Sequence, residues 1–134
     1  MKKRTLIISL VCVLLAAAVV IGFAAFGGRK PYKDLDATQI ASVTVHLIPP
    51  DTTVQIVEIE EFVGYLKDVV IYNEDNSYTG YNGQAVTFTL TMTDGTQTSI
   101  MAYNPFLVID GVGYKTEYEP CEKLNNYANK LLKR

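Results

Sequence analysis

The chain has 134 residues, with 12 Lys or Arg, 14 Asp or Glu and a formal net charge of −2 at pH 7. From Arg29 to Arg134, nine basic residues stand against 14 acidic ones, which gives a net charge of −5. Such an acidic domain does not favour nucleic acid, which is bound through clustered Lys and Arg, and it does not favour docking on anionic lipid.

A long apolar run follows the basic residues at the start of the chain. Leu6 to Phe26 covers 21 residues and is broken only by Ser9 and Gly22. A helix of this length rises to about the ~30 Å thickness of a bilayer core. A cleaved signal peptide has a shorter apolar region of ~7–15 residues, followed by small residues. Small residues do occur, at Ala16–Ala18 and Ala25–Gly27, but the length favours a retained single-pass anchor over a cleaved signal.

The basic N-terminal residues and the C-terminal domain predict the location of the protein. The default orientation places the N-terminus inside the cell membrane and the C-terminal domain outside it. We therefore divide the chain into a membrane anchor or signal segment (1–28), a linker (29–38) and an extracytoplasmic domain (39–134). If the signal is cleaved, the domain is secreted.

The first half of the domain predicts two strands and a helix. Ile40 to Ile48 alternates apolar and polar residues, as a half-buried strand does, and Pro49 ends it. The sequence TTVQIV, starting at Thr52, predicts a second strand that forms a hairpin with the first. Ile59 to Val70 changes to helical periodicity, with acidic residues in the first turn.

The second half predicts an antiparallel meander and a last helix. Ala85 to Met92 alternates apolar residues with threonines, and the later strands TQTSIMAY, FLVI and VGYKTEY are separated by turns. Pro120 lies in the first turn of the last helix. The order ββαββββα predicts an α+β fold, an antiparallel sheet with two helices on one face and threonines on the other.

The stretch between these halves, Ile71 to Gln84, is rich in tyrosine and asparagine and holds few core residues. This composition is typical of recognition loops and of carbohydrate-binding surfaces, where a ring stacks on the sugar and amides bond its hydroxyls. The alternative is a connection whose tyrosines cover the edge of the sheet. The residues proposed to contact a ligand or partner are Tyr72, Asn73, Tyr78, Tyr81 and Asn82.

Metal and catalytic sites are disfavoured. The oxygen-bearing residues Glu74 to Ser77 lack the closing glutamate of a calcium loop, because Ala85 and Val86 occupy the positions that it would need. We predict no metal, no cofactor and no catalytic residues. The alternative is a thiol-dependent or other hydrolase that uses Cys121 and His46, although no orienting group or oxyanion element accompanies them.

Two stretches carry a resemblance to a known group of proteins. They are YNEDNSYTGYNGQAVTFTLTMTDGTQT and the segment from Ala102 to Leu132. Both resemble small, uncharacterised membrane-tethered or secreted domains of Firmicutes, which are similar to extracytoplasmic tails near antirepressor-type membrane metallopeptidases. The resemblance implies location and architecture and carries over no catalytic residue. The expected function is non-enzymatic binding of a partner protein or a cell-wall polymer, with a purely structural accessory role as a further alternative.

Overall fold

Residues 27–133 are described by the computed structural model, and they form seven strands and two α-helices. The strands are β1 (Ile40–Ile48), β2 (Thr52–Ile56), β3 (Ile71–Glu74), β4 (Ala85–Met92), β5 (Gln97–Tyr103), β6 (Phe106–Ile109) and β7 (Val112–Thr116). The helices are α1 (Ile59–Lys67) and α2 (Tyr118–Leu131).

All seven strands join one antiparallel sheet in the order β2-β1-β4-β5-β6-β7-β3. The hairpins β1–β2, β4–β5, β5–β6 and β6–β7 place strands that are consecutive in sequence side by side. The long connection after α1 carries the chain to the far edge of the sheet, where β3 pairs with β7. The two edges of the sheet are therefore formed by β2 and β3.

Both helices cover the same face of the sheet. Phe62 of α1 lies with its ring centroid 4.9 Å from that of Phe88 in β4 and 6.4 Å from that of Tyr127 in α2. Apolar residues of β1, β4 and β5 join them in one buried cluster. The opposite face carries half-buried threonines, such as Thr87 and Thr89.

The predicted α+β class and antiparallel sheet are confirmed, but the predicted element order ββαββββα is wrong by one strand. β3 was missed because it spans only four residues and buries one of them, Ile71. The first helix ends at Lys67, before the predicted Val70. The last helix begins at Tyr118, a residue that the prediction assigned to the preceding strand.

The predicted membrane segment Leu6 to Phe26 lies outside the described residues, and it stays a prediction. In the range 27–133, neither helix has the length and apolar character needed to cross a bilayer.

The segment 29–38, predicted as a linker, lies against the sheet and the core. Arg29 forms an isolated bridge with Ile71, and Tyr32 and Leu35 pack against the buried cluster. Asp36 caps the 3-10 turn Ala37–Gln39 through its side chain, and the side chain of Gln39 accepts a hydrogen bond from the Asp36 backbone. The assignment of domain boundaries stays a prediction.

The position of Phe62 between two other rings generates a stability prediction. Phe62→Ala in the full chain should lower the free energy of unfolding by about 3–5 kcal/mol, because it opens a cavity between the sheet and both helices. The measurement is urea denaturation in nanodiscs. Val57→Ala is the control: Val57 is 83 % exposed, and its truncation should change the value by less than about 0.5 kcal/mol. Equal effects of the two substitutions would contradict the packing described.

Candidate ligand-binding recess

The loop after β3 packs on the sheet face that the helices leave open. Gly113, Val108, Met101 and Thr87 pair in a row across four strands, so they share this face. A Cβ at Gly113 would lie 2.6 Å from the Tyr78 ring. Glycine at this position therefore lets the loop approach the sheet closely.

Polar side chains of the loop form hydrogen bonds that fix the loop against the sheet. The Asn76 side chain accepts a hydrogen bond from the Gly113 backbone N–H at 2.7 Å, and the Tyr78 hydroxyl donates to the Gly111 carbonyl at 3.1 Å. Hydrogen bonds from the side chain and backbone of Ser77 hold the pKa of Asp75 below its usual value. The acidic and amide residues considered above as calcium ligands thus hold a connection against the sheet.

Tyr81 lies on the same face but keeps much of its ring in solvent. Its ring meets Phe106 in an edge-on contact with 5.2 Å between centroids, and 53 % of the residue is exposed. The ring is positioned by a buried partner and remains open to a ligand. It borders a recess of about 250 Å³ at the end of β5. The recess is lined by Tyr81, Asn82, Gly83, Gln84, Tyr103, Asn104 and Asn125.

One wall of the recess is fixed by a pair of amides. Gln84 and Asn129 exchange two hydrogen bonds, at 3.0 and 2.9 Å, and Gln84 also donates to the Pro49 carbonyl at 2.9 Å. Asn129 further donates to the Asn125 carbonyl at 2.8 Å. These bonds join the end of the loop to α2 and to the β1–β2 turn, so they hold the two sides of the recess together.

Asn104 brings an unused acceptor to the recess. Its side-chain nitrogen donates to the Tyr118 carbonyl at 3.0 Å, and because a carbonyl only accepts, this bond fixes the orientation of the amide. The other side-chain atom, Oδ1, is buried and has no hydrogen-bond partner among residues 27–133. An unpaired buried acceptor costs about 1–3 kcal/mol, so a small shift of the amide that brings Oδ1 to a donor would be favourable.

The five residues predicted to contact a ligand do not form one site. Tyr81 and Asn82 line the recess described above, whereas Tyr72 and Asn73 line a different one at the β3 edge. Tyr78 is half-buried and packs on the open face of the sheet at Gly113, whereas the alternative interpretation of the loop had its tyrosines cover the edge.

Sequence reasoning missed the remaining polar residues of the recess, among them Gln84, Asn104 and Asn125. They are brought together from the loop, β5 and α2, and no local pattern connects them. The sequence did contain a sign that the loop covers the open face of the sheet at β6. The continuous apolar run of this strand, Phe106–Ile109, is typical of a strand buried on both sides.

The structure does not bring Cys121 and His46 together. Cys121 is buried in the core, and burial raises the pKa of its thiol to about 12. His46 lies on the opposite face of the sheet, where its Nε2 is 2.7 Å from the Asp51 carboxylate.

Comparisons with known proteins add no relative: no family model, no curated protein and no solved structure gives a significant match to this chain. The resemblance to membrane-tethered Firmicute domains therefore stays a prediction.

The burial of Cys121 predicts that its thiol is protected in the folded protein. In a Cys12→Ser background, maleimide should leave Cys121 unmodified until denaturant is added, because the thiolate is the reactive form and the side chain is inaccessible. Mass spectrometry reads out the modification. Val57→Cys in the same background should be modified without denaturant, and rapid labelling of Cys121 itself would contradict its burial.

The contact between Gly113 and the loop predicts opposite effects of two glycine substitutions. Gly113→Ala should destabilise the protein by about 1–3 kcal/mol, because the new methyl group collides with Tyr78 and with the Asp75 carbonyl. Gly64→Ala, on the open side of α1 with nothing within 4 Å, should stabilise it by about 0.5–1 kcal/mol. Urea denaturation measures both, and a neutral Gly113→Ala would show that the loop does not rest on the sheet.

Proposed function

We propose that this protein is a non-enzymatic, membrane-anchored domain outside the cytoplasm that binds a cell-envelope glycan. The ligand lies in the recess at the end of β5. The proposal rests on two residues that line the same recess: Asn104, whose buried Oδ1 is unpaired, and Tyr81, whose ring is exposed. The anchor is the apolar segment Leu6 to Phe26, and the basic residues before it favour the cytoplasmic side.

The chemistry of the recess selects the class of ligand. All seven residues that line it are uncharged, so a neutral ligand is bound without the desolvation of an unpaired charge. Asn82 and Asn125 offer both donors and acceptors, and the Tyr81 ring offers an apolar face. An acetamido sugar matches this set, because it combines hydroxyl and amide groups with an apolar ring face.

Two observations favour binding over catalysis. The thiol considered as a nucleophile is buried and protonated, and its pKa is raised to about 12. The only histidine lies on the other face of the sheet from it and contacts a carboxylate of the neighbouring turn. Neither residue lines the recess.

Tyr81→Ala should weaken the binding of a neutral N-acetylglucosamine tetramer by about two- to tenfold, because the loss of an aromatic contact costs ~0.5–1.5 kcal/mol. Isothermal titration with the full chain in nanodiscs measures the affinity. Tyr81→Phe keeps the ring and should bind within about twofold of the unaltered protein. Tyr72→Ala, at the other recess, should leave the affinity unchanged.

If the unaltered chain binds neither the tetramer nor the purified envelope polysaccharide, the glycan assignment is overturned. A protein captured from membranes by the unaltered chain and lost with Tyr81→Ala would replace the glycan with a protein partner at the same recess. Tyr78→Ala is unsuitable for this purpose, because Tyr78 packs on the sheet and its loss would disturb the loop.

A further inference from the structure

The chain enters the domain along a fixed path at the β3 edge of the sheet. The Arg29 backbone N–H donates to the Ile71 carbonyl at 2.9 Å, and the Ile71 N–H donates back at 2.8 Å. This pair of bonds adds Arg29 to the outer side of an edge strand. The predicted linker therefore begins as part of the sheet.

Gly28 makes this entry possible. Its φ of +71° is the left-handed conformation that favours glycine, and a Cβ would lie 2.6 Å from the Tyr72 ring. The backbone thus passes in contact with Tyr72 immediately before Arg29. Tyr32 and Leu35 then pack against the core, so no slack chain separates Gly28 from the domain.

The short distance from the predicted anchor limits where the domain can be. Phe26, the end of the apolar run, precedes Arg29 by three residues, and an extended chain covers at most ~3.3–3.6 Å per residue, or about 10 Å in all. The opposite edge, β2, is six strand spacings from β3, or about 29 Å at ~4.8 Å per spacing. With the anchor in the bilayer, the β3 edge therefore lies within reach of the membrane surface, and β2 can lie up to about 29 Å further away.

The domain as a whole is acidic and does not favour anionic lipid, but its basic residues are concentrated where the chain enters it. Arg29, Lys30 and Lys33 lie in the entry segment, while the chain from Asp34 to Arg134 has six basic and 14 acidic residues, a net charge of −8. Glu74 lines the same small recess as Arg29, and Asp34 and Asp36 lie within three residues of Lys33, so these acids offset part of the local positive charge. Anionic headgroups attract cations within a Debye length, so the entry segment is attracted while the acidic remainder is repelled.

We propose that the β3 edge, with Arg29, Lys30 and Tyr72, is a membrane-facing surface that contacts anionic lipid headgroups and holds β2 away from the bilayer. This placement rests on the membrane anchor of the proposed function and is independent of the glycan. Tyrosine beside basic residues is the composition found where proteins meet the headgroup layer.

The test uses the full chain in nanodiscs that contain anionic phosphatidylglycerol and a gadolinium-chelating lipid headgroup. In a Cys12→Ser background, a spin label is attached at Asn73→Cys on β3 or at Val57→Cys next to β2. The measured quantity is the relaxation rate of the label, which nearby gadolinium at the membrane surface increases. The label at 73 should relax at least about fivefold faster than the label at 57, because the two edges are ~29 Å apart. Equal relaxation of the two labels in protein that floats with liposomes would overturn the membrane-facing edge while leaving the anchor intact.

Two further variants test separately the effect of the short entry segment and the effect of its basic residues. A flexible 20-residue Gly-Ser insertion between Gly27 and Gly28 should bring the two relaxation rates within about twofold, because such a linker reaches ~25 Å. An unchanged ratio would overturn the role of the short entry. Replacement of Arg29, Lys30 and Lys33 by Gln should reduce the ratio, and no reduction would overturn the lipid contact of these cations. A chain that fails to float at all would overturn the anchor and this placement together.

Discussion

The packing of Phe62 is the constraint on which the rest of the domain depends. Its ring lies between Phe88 of the sheet and Tyr127 of α2, and Tyr65 meets Tyr127 at 5.0 Å between ring centroids. Aromatic side chains bury large areas and prefer such tilted or offset contacts. No disulfide stabilises the described domain, whose one cysteine is a free, buried thiol. The position of α2 over the sheet therefore comes from this aromatic contact and the surrounding apolar cluster.

The recess follows from that position. Asn125 and Asn129 are placed by α2, and the exchange of hydrogen bonds between Asn129 and Gln84 brings the end of the long loop against the helix. On the other face, Gly113 allows the same loop to rest on the sheet, and Phe106 supports the ring of Tyr81. The loop is thus a structural connection over most of its length, and the proposed ligand surface lies at its C-terminal end.

The strands were predictable from the sequence where they have a local pattern of their own. Apolar and polar residues alternate over positions 42–47 of β1 and 86–92 of β4, so the existence and the buried faces of these strands follow from the sequence. β3 is held by pairing with β7 and with Arg29, and neither contact leaves a local pattern. Of the predicted ligand residues, Tyr81 and Asn82 border the recess. Asn104 escaped prediction because its importance comes from the Tyr118 carbonyl, which occupies its amide nitrogen and leaves Oδ1 unpaired.

The recess beside Tyr81 is proposed to bind a neutral, amide-bearing sugar. The most direct measurement follows the side-chain amide resonances of asparagine by NMR while the N-acetylglucosamine tetramer is added to the full chain in nanodiscs. We expect saturable shifts of the resonances of Asn82, Asn104 and Asn125, and no shift for Asn73 at the β3 edge. Shifts confined to Asn73, or no saturable shift at any of the four residues, would contradict the proposal.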